Sequence, residues 1–516
     1  MKRDLARRPA SLLLSGLLLL AACGVSSEAE VTPAGEPLGT REAAICSGTS
    51  VSTLSLAGIS TYQGEMAGAG DWAVTYPANA VRLEYYVDGT LIGTAERCNA
   101  SGGLSSCTGS GSWSFSLAGV SCGAHTFQIK AYPMTISSAG DRETCWSNVR
   151  VLTQTVGENC TAKAATTTSH FSVARDGENN LWAWGDNWAG QFGDGTTTTT
   201  RKVPAKMPGI SNVKEVSLGF YHTVALKHDG TVWTWGYNGS GQLGDGTTTT
   251  RNTPGIVPGL SGIVAIAAGG SFNLALKNDG TVWSWGDNWT GPLGDGTEIT
   301  RLSPVRVVGL TGVTALAAGI NHSVALRNDG TVWAWGRNMA GELGDGTATV
   351  RTTPVRAQGL TGVVSIAASY WQTMAVKSDG TGWVWGRNWA GQVGDGTNTD
   401  RYTPVQVLSG VKAMSGGFGH TVAVRNDGTV WTWGDNSQGQ LGNGTTTGRN
   451  VPGQVPGMSG VSTVATGSNA VYNTVVVKND GSVWAWGSDN TSSSGVLGDG
   501  VSSKSLTPVR VLNLGP

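Results

Sequence analysis

Three histidines share one position of a repeated sequence pattern, and imidazole groups at such a position could serve acid–base or metal chemistry. They are His222, His322 and His420, where other copies carry Phe171, Asn273 and Gln372. Repetition would spread these histidines around the molecule, whereas a catalytic or metal site needs its groups close together. The pattern therefore favours a hydrogen-bonded histidine inside each repeat.

Aspartate recurs in the segment Gly-Asp-Gly-Thr, and its carboxylate could bind a cation. The residues at this position are Asp194, Asp245, Asp295, Asp345, Asp395 and Asp499, with Asn443 in the remaining copy. Calcium takes about six to eight oxygen ligands, and each segment offers one carboxylate. The sequence therefore predicts side chains that stabilise turns and no metal site.

Motifs of the common enzyme classes are missing from the sequence, which has no phosphate-binding loop, no HExxH and no GxSxG. One GxGxxG match, Gly239 to Gly244, follows a strand-like run but opens no helix, so it is interpreted as a turn and no cofactor is predicted. The net charge of −1 comes with no basic stripe. Nucleic-acid binding therefore has little electrostatic support.

Aromatic residues that differ between the copies are the candidate binding residues. In a four-stranded meander, the loop between strands one and two and the loop between strands three and four lie at the same end. Large aromatic side chains collected on one face are typical of protein or glycan recognition, although they could instead fold back over the strand ends. The candidates are Trp188, Tyr221, Phe272, Trp289, Tyr370, Trp371, Trp389 and Phe418.

Seven copies of Trp-x-Trp-Gly indicate the elements that must position these residues. They begin at Trp182, Trp233, Trp283, Trp333, Trp383, Trp431 and Trp484. This near-constant period indicates one structural unit repeated seven times. In the fourth copy, apolar runs flank Asp329-Gly330, which predicts a tight hairpin with positive φ at both turn residues. Each unit is expected to form four short antiparallel strands, with almost no helix.

The two Trp of each copy lie at i and i+2, so they point to the same face of a strand. One 50-residue sheet could not cover such large rings, which bury roughly 150–250 Å² each. Small residues such as Ala267, Ala317 and Ala367 offer room on a neighbouring sheet. The fold class predicted is all-β, with a seven-bladed β-propeller over 161–516. The alternative is an open stack of sheets. In the ring, one end of the repeat region is expected to complete the other end's sheet.

The run from Ala317-Ala318-Gly319 through Asp329-Gly330-Thr331 and Val332-Trp333-Ala334-Trp335-Gly336 to Gly344-Asp345-Gly346-Thr347 resembles the regulator of chromosome condensation repeat in its bacterial form. The resemblance covers about 160 to 516. It implies a seven-bladed propeller. In this family, propeller-type β-lactamase inhibitors bind their enzyme through such loops, and the eukaryotic founder exchanges guanine nucleotides on a small GTPase.

The N-terminal residues resemble a bacterial lipoprotein leader. Basic residues and a short apolar run occupy 1–22, and Leu20-Ala21-Ala22-Cys23 resembles a lipobox with Cys23 as the lipidation site. The alternative is an ordinary signal peptide that happens to carry a cysteine. Gly24 favours the outer membrane by analogy with Gram-negative sorting. Residues 23–46 are interpreted as a flexible tether.

Six further cysteines precede the repeats, and an even number in an exported chain indicates disulfides. They are Cys46, Cys98, Cys107, Cys122, Cys145 and Cys160, with the pairing left open. Between them, residues 47–160 contain strand-like runs. Arg82 to Gly89 with Trp113-Ser114-Phe115 resembles a bacterial immunoglobulin-like domain, which implies a disulfide-stapled β-sandwich used as a spacer or adhesive module.

These features predict a lipid-anchored, exported protein, sorted to the outer membrane, that catalyses nothing and binds a protein or glycan partner through its aromatic face. Inhibition of an exported enzyme is one form of that function. Two alternatives remain: guanine-nucleotide exchange, and a propeller hydrolase or lyase with its site at the central channel. No recurring group of acid, base and nucleophile in the repeats favours the enzyme.

Overall fold

The computed structural model describes residues 49–56, 58–62, 65–76, 78–97, 109–118, 124–136, 142–157, 161–168, 170–197, 200–466, 472–488, 495–501 and 503–514. The predicted lipidation site Cys23 lies outside them, as do Cys46, Cys98, Cys107, Cys122 and Cys160. Cys145 is buried and disulfide-bonded. The lipid anchor and the cysteine pairing therefore stay predictions.

The described residues divide into two compact units. The first holds the residues up to Ile59 together with Gly68–Phe115 and His125–Val156, and the second holds Ser60–Ala67, Ser116–Ala124 and Gly157–Pro516. In the described residues, the one helix is a 3-10 turn at Trp146–Asn148. No described helix has the length and apolar character needed to cross a bilayer.

Two sheets precede the repeats. One contains β1 (Val51–Leu54), β2 (Gly58–Tyr62), β3 (Glu65–Val74) and β6 (Ser110–Ala118). The other contains β4 (Ala80–Val87), β5 (Thr90–Arg97), β7 (Ala124–Ile136), β8 (Arg142–Thr144) and β9 (Arg150–Gly157). Aromatic rings join the two sheets, since Trp113 of β6 lies 6.0 Å from Tyr85 of β4 and 6.1 Å from Phe127 of β7, centroid to centroid.

The repeats form seven four-stranded antiparallel sheets in the part of the chain that the structure describes. Sheets 1 to 4 are β10–β13 (Ala162–Thr167, Phe171–Asp176, Leu181–Gly185, Arg201–Lys206), β14–β17 (Val213–Leu218, His222–Lys227, Val232–Gly236, Arg251–Ile256), β18–β21 (Ile263–Ala268, Phe272–Lys277, Val282–Gly286, Arg301–Arg306) and β22–β25 (Val313–Ala318, His322–Arg327, Val332–Gly336, Arg351–Arg356). Sheets 5 to 7 are β26–β29 (Val363–Ala368, Gln372–Lys377, Gly382–Gly386, Arg401–Leu408), β30–β33 (Val411–Gly416, His420–Arg425, Val430–Gly434, Arg449–Gln454) and β34–β37 (Val461–Thr466, Tyr472–Lys478, Val483–Ser488, Lys504–Arg510). Neighbours in sequence are neighbours in each sheet, so every repeat is a simple meander.

The hairpins between the second and third strands differ from the predicted two-residue turn. In sheet 4, Gly330 has a φ of 72°, whereas Asp329 is not among the residues with positive φ. The main-chain N–H of Arg327 donates to the carbonyl of Thr331, 3.0 Å away, so three residues form the loop. Glycine takes the left-handed position that ends a turn of this length. The prediction of positive φ at both turn residues was wrong.

The second Trp of each repeat joins its sheet to the preceding one. Its ring is fully buried, and its indole N–H donates to a main-chain carbonyl in the preceding sheet's loop between strands three and four. The pairs are Trp235 to Gln191 (2.8 Å), Trp285 to Gln242 (3.0 Å), Trp335 to Pro292 (2.8 Å), Trp385 to Glu342 (2.9 Å), Trp433 to Gln392 (2.9 Å) and Trp486 to Gln440 (2.9 Å). A buried donor is thereby satisfied across each junction.

The last sheet meets the first by the same contact. Trp184 of sheet 1 donates to the carbonyl of Val496, 2.8 Å away, in the loop of sheet 7. Asn473 of β35 also donates to Thr167 of β10 at 2.8 Å. Sheets 1 and 7 are each built from four consecutive strands. The expectation that one end completes the other's sheet was therefore wrong. The two ends share no strand, and they meet through hydrogen bonds of side chains and of the main chain, such as that from the Ala162 N–H to the carbonyl of Gly481 at 3.1 Å.

Candidate binding face

The loops between strands one and two and between strands three and four lie at one end of the sheets, called here the loop end. Three candidate Trp in the loops after the third strands are exposed. The exposed fractions are 76% for Trp289, 53% for Trp188 and 44% for Trp389. Large apolar side chains that gather into one exposed patch mark interaction surfaces.

The structure gathers most of the candidate residues into two groups. Cluster A lies where sheets 1 and 2 meet. Its rings are those of His170, Trp188, Phe220, Tyr221 and Tyr237. Trp188 packs edge-on against Tyr221 with 4.6 Å between ring centroids, and Tyr221 also lies 4.6 Å from His170. Trp188 and Tyr237 are exposed, and the other three rings are partly buried between them.

Cluster B spans sheets 5 to 7. Its rings are those of Tyr370, Trp371, Trp389, Phe418 and Tyr472. Tyr370 lies 4.3 Å from Trp371 and 4.8 Å from Phe418, and Trp389 lies 6.2 Å from Phe418, between ring centroids. These distances suit aromatic pairs, which favour tilted and edge-on packing.

Phe272 does not belong to this face, and its prediction as a binding residue was wrong. It begins the second strand of sheet 3 and pairs with Gly286, as His222 pairs with Gly236 in sheet 2. Its ring is 1% exposed and packs in the core with Leu274 and Trp335. The assignment of Asn273 to the histidine position was therefore one residue late.

Several residues of the clusters were not predicted. Tyr237 directly follows Trp-x-Trp-Gly, while His170 and Tyr472 occupy the position of Tyr221 in sheets 1 and 7. Comparing the copies position by position, and not searching for Trp alone, would have found them. Arginine follows the same motif at Arg337 and Arg387.

Two arginines lie against Trp371 of cluster B, and the acidic residue Asp435 lies beside Trp389 of the same cluster. The guanidinium carbon of Arg337 lies 4.7 Å, and that of Arg387 5.4 Å, from the ring centroid of Trp371. A cation over an indole ring is attracted by the ring's negative face. Arg337 also pairs with the fully buried Glu342. Burial raises the pKa of Glu342, and the neighbouring Arg337 opposes that rise.

The shared histidine position is structural. The Nε2 atom of His222 lies 2.8 Å from the side-chain oxygen of Asn273, and that of His322 lies 3.0 Å from the Thr373 hydroxyl, each in the next sheet. Burial lowers the pKa of His222 to about 4 and that of His322 to about 3. Neutral, buried and separated by sheets, these histidines form no common site.

The repeated aspartate stabilises its loop, as predicted. Asp345 accepts from the N–H (3.0 Å) and hydroxyl (2.7 Å) of Thr347, and from Arg351 at 3.0 Å. Burial raises the pKa of Asp345, but these hydrogen bonds outweigh it and leave the pKa below its usual value. Within the described ranges, no three His, Cys, Asp or Glu residues are placed to hold a metal ion.

A family profile agrees with this architecture. The RCC1-like domain matches residues 208–515, more than half of the chain, and the regulator of chromosome condensation (RCC1) repeat matches 178–226. The chain belongs to the RCC1-like domain family. The profile covers sheets 2 to 7 and therefore all of cluster B.

Curated relatives match short stretches of this chain. Human E3 ubiquitin-protein ligase HERC2 is 37% identical over 81 residues, which are 15% of this chain and 2% of that protein. The mitochondrial RCC1 domain-containing protein RUG3 of Arabidopsis thaliana is 39% identical over 77 residues, 14% of this chain and 17% of that protein. The match therefore spans a small part of each relative's length.

Solved structures show the same fold. Prp20p from Saccharomyces cerevisiae, studied for its binding to Gsp1p and histones, has a TM-score of 0.57 at 22% identity, over 64% of this chain and 85% of that chain. Human WBSCR16 has a TM-score of 0.57 at 23% identity, over 64% and 93%. The RCC1-like region of this chain is accordingly a β-propeller.

Proposed function

We propose that this RCC1-like protein is a non-catalytic binding protein, and that the loop end of its propeller recognises a protein partner. The observation that carries the proposal is the pair of packed aromatic clusters, in which Trp188 and Trp389 are exposed, together with the exposed Trp289 in the equivalent loop of sheet 3. Exposed Trp and Tyr rings held by their neighbours lose little conformational freedom on binding, and such rings dominate protein interfaces. Prp20p, which has the same fold, also binds proteins.

The proposal includes a closed ring of seven blades and an exported, lipid-anchored chain. The seven sheets and the contact of Trp184 with Val496 support the ring. The lipobox-like run ending at Cys23 supports the anchor, and the outer membrane is its proposed place. The disulfide-bonded Cys145 is in keeping with an oxidising compartment. In this arrangement the N-terminal region is a disulfide-stapled, immunoglobulin-like spacer.

Site-specific crosslinking in the cells that produce the full-length protein tests the binding face. A photoreactive amino acid in place of Trp289 or Trp389 should crosslink a defined protein. The same amino acid in place of Val364 is the matched control, because Val364 is 59% exposed on β26 at the opposite end of its sheet. Equal crosslinking from all three positions would contradict the proposal, as would recovery of a glycan alone.

The crosslinked partner then allows affinities to be measured. W289A and W389A should each weaken binding of the purified partner at least tenfold, because large anchors dominate interface energies. Both side chains are exposed, so the thermal unfolding midpoint should change little. V364A should bind as the parent protein does. Loss of folding in W289A or W389A would show that these rings are structural, and the binding face would be rejected.

A further inference from the structure

Cluster A brings three rings from two sheets together, and these rings are called here the aromatic corner. Trp188 of sheet 1 lies 4.6 Å from Tyr221 and 6.2 Å from Tyr237, and the two tyrosines of sheet 2 are 6.5 Å apart, centroid to centroid. One point can therefore lie within about 6 Å of all three centroids, the distance at which an aromatic ring attracts a cation. Trp188 and Tyr237 are exposed, so a partner can reach the aromatic corner from solvent.

The main chain of sheet 2 positions both tyrosines of the aromatic corner. The N–H of Tyr237 donates to the carbonyl of Tyr221 at 2.8 Å. Gly239 holds the repeat position that carries Trp188 and Trp289 in other copies. A Cβ atom at Gly239 would collide with the hydroxyl end of Tyr237. Glycine at this position therefore lets the Tyr237 ring lie across its own loop.

A carboxylate lies beside the aromatic corner. Asp186 directly follows the Trp-x-Trp-Gly of sheet 1, as Tyr237 follows that of sheet 2. Burial, and after it the charge of Asp186, raises the pKa of Tyr221, so the carboxylate acts on that hydroxyl group. The Asp186 side chain accepts from the Thr200 hydroxyl at 3.4 Å, and it lies 3.6 Å from Nδ1 of His170. With a neutral imidazole beside it, Asp186 keeps an uncompensated negative charge.

The described residues place no lysine or arginine against Asp186 or over the three rings. The cations of the two loops have other contacts, which are Arg201 with Asp194, Arg251 with Asp245, and Lys202 with Gly495 of sheet 7. Cluster B differs, because Arg337 and Arg387 lie over Trp371, the residue in the place of Tyr221. Cations of the chain itself therefore contact the ring in cluster B, whereas the described residues supply none to the aromatic corner.

We infer that the aromatic corner, with Asp186, binds the ammonium group of a lysine presented by the protein partner. The negative faces of the rings attract a cation, and the carboxylate adds an opposite charge. The ring planes meet at 64°, 48° and 82°. No two rings are parallel, so the site suits a compact ammonium better than a planar guanidinium. This inference rests on the proposed protein-binding function and adds the chemistry of the group that is bound.

The test uses the full-length protein and fluorescently labelled hexalysine, hexaarginine and hexaglutamine. Anisotropy is measured at about pH 8, where an ordinary imidazole is neutral. Hexalysine should bind about tenfold more tightly than hexaglutamine, because the rings and the carboxylate act together on a cation. Hexaarginine should bind more weakly than hexalysine.

Variants of the aromatic corner separate the ring from the charge. Y237A should weaken hexalysine binding about tenfold, whereas Y237F should keep it, because the ring face and not the hydroxyl group meets the cation. D186N retains an acceptor for Thr200 but should also lose about tenfold. D435N is the matched control, because Asp435 holds the same repeat position in sheet 6, beside the cluster that contains Arg387. It should bind hexalysine as the parent protein does.

Four results would overturn the inference. Hexalysine could bind no better than hexaglutamine, hexaarginine could bind more tightly than hexalysine, or D186N and D435N could lose affinity equally. Spermine could also bind more tightly than hexalysine and point to a free polyamine. Failure of this inference is distinguishable from failure of the proposed function. If W389A abolishes capture of the crosslinked partner and neither Y237A nor D186N does, the binding face stands and its lysine ligand is wrong.

Discussion

At the scale of single residues, the buried histidines link stability to pH. Burial lowers the pKa of His222 and His420 to about 4 and that of His322 to about 3, from 6.5. The unfolded chain takes up these protons below about pH 6.5 and the folded chain does not, so stability is complete above pH 6.5 and falls as the pH drops towards 4. Lowering the pH from 7.5 to 5 should cost about 2 kcal/mol for each histidine.

Urea unfolding at pH 7.5 and pH 5, followed by Trp fluorescence, checks this dependence. H322Q should lose about 2 kcal/mol less than the parent protein between the two pH values, and Gln372 shows that glutamine fits this position in a neighbouring sheet. H228Q is the control, because His228 is exposed in a hairpin. Identical pH dependence in H322Q and the parent would mean that His322 is not held neutral.

The sequence predicted the residues of the loop end and of the histidine position well only where a residue type recurs from copy to copy. The burial of the histidines follows from their position in an apolar strand, and it was predicted. Phe272 was misplaced because Gly269-Gly270-Ser271 resembles a loop that could continue into it, and only the pairing with Gly286 fixes the register. Arg337 and Arg387 were missed because their contacts with Trp371 join different loops, which is a property of space and not of sequence.

At the scale of the element, the two Trp of each third strand differ in burial and in hydrogen-bond partner. Trp385 is fully buried and donates across the junction to the carbonyl of Glu342, whereas Trp383 is partly buried and donates to the Thr381 hydroxyl in its own hairpin at 3.0 Å. Lys377 lies over the ring of Trp383. The period of two predicted that both rings share a face, but not that only the second Trp hydrogen-bonds across the junction.

Alanine substitutions should separate these two roles. W385A should cost about 3–5 kcal/mol, the range for a buried aromatic side chain whose cavity cannot collapse. W383A should cost clearly less, because solvent already reaches its ring and its indole N–H bonds within its own hairpin. Urea unfolding midpoints of the two variants provide the comparison. Equal costs, or a larger cost for W383A, would contradict the division of roles.

The hairpins show how far local sequence determines an element. Asp-Gly correctly placed a turn between the second and third strands in every regular copy, and Asp88-Gly89 in the first unit does have positive φ at both residues, 51° and 79°. In the repeats, Thr331 adds its N–H and hydroxyl to the Asp329 carboxylate, at 3.0 and 2.6 Å. These hydrogen bonds from Thr331 stabilise the three-residue loop relative to the two-residue turn. The Asp-Gly pair alone does not reveal which of the two forms.

At the scale of the whole molecule, the period of Trp-x-Trp-Gly carried most of the information. Each second Trp is too large to be buried by its own sheet, so each sheet needs a neighbour. The contact of Trp184 with Val496 joins the last sheet to the first in the same way as the other sheets are joined. The sequence could not show how the ends meet. Both terminal sheets are complete, so their junction depends on hydrogen bonds between them. One joins the side chains of Asn473 and Thr167, and another joins the main chain of Ala162 to that of Gly481.

Removing one whole repeat tests the ring against an open stack. Deletion of Val313–Gly362 would bring Trp385 beside Pro292, which already accepts from Trp335, so every remaining junction keeps an equivalent contact. An open stack would lose only one repeat's share of stability, because its energy is a sum over neighbours. A closed ring loses its closing junction and exposes both terminal faces. We expect the deleted protein to aggregate, or to lose its single cooperative transition in calorimetry.

Replacement of Val313–Gly362 by a second copy of Ile263–Gly312 preserves the number of sheets and should preserve that transition. A soluble deletion variant that unfolds cooperatively a few degrees lower would favour the open stack.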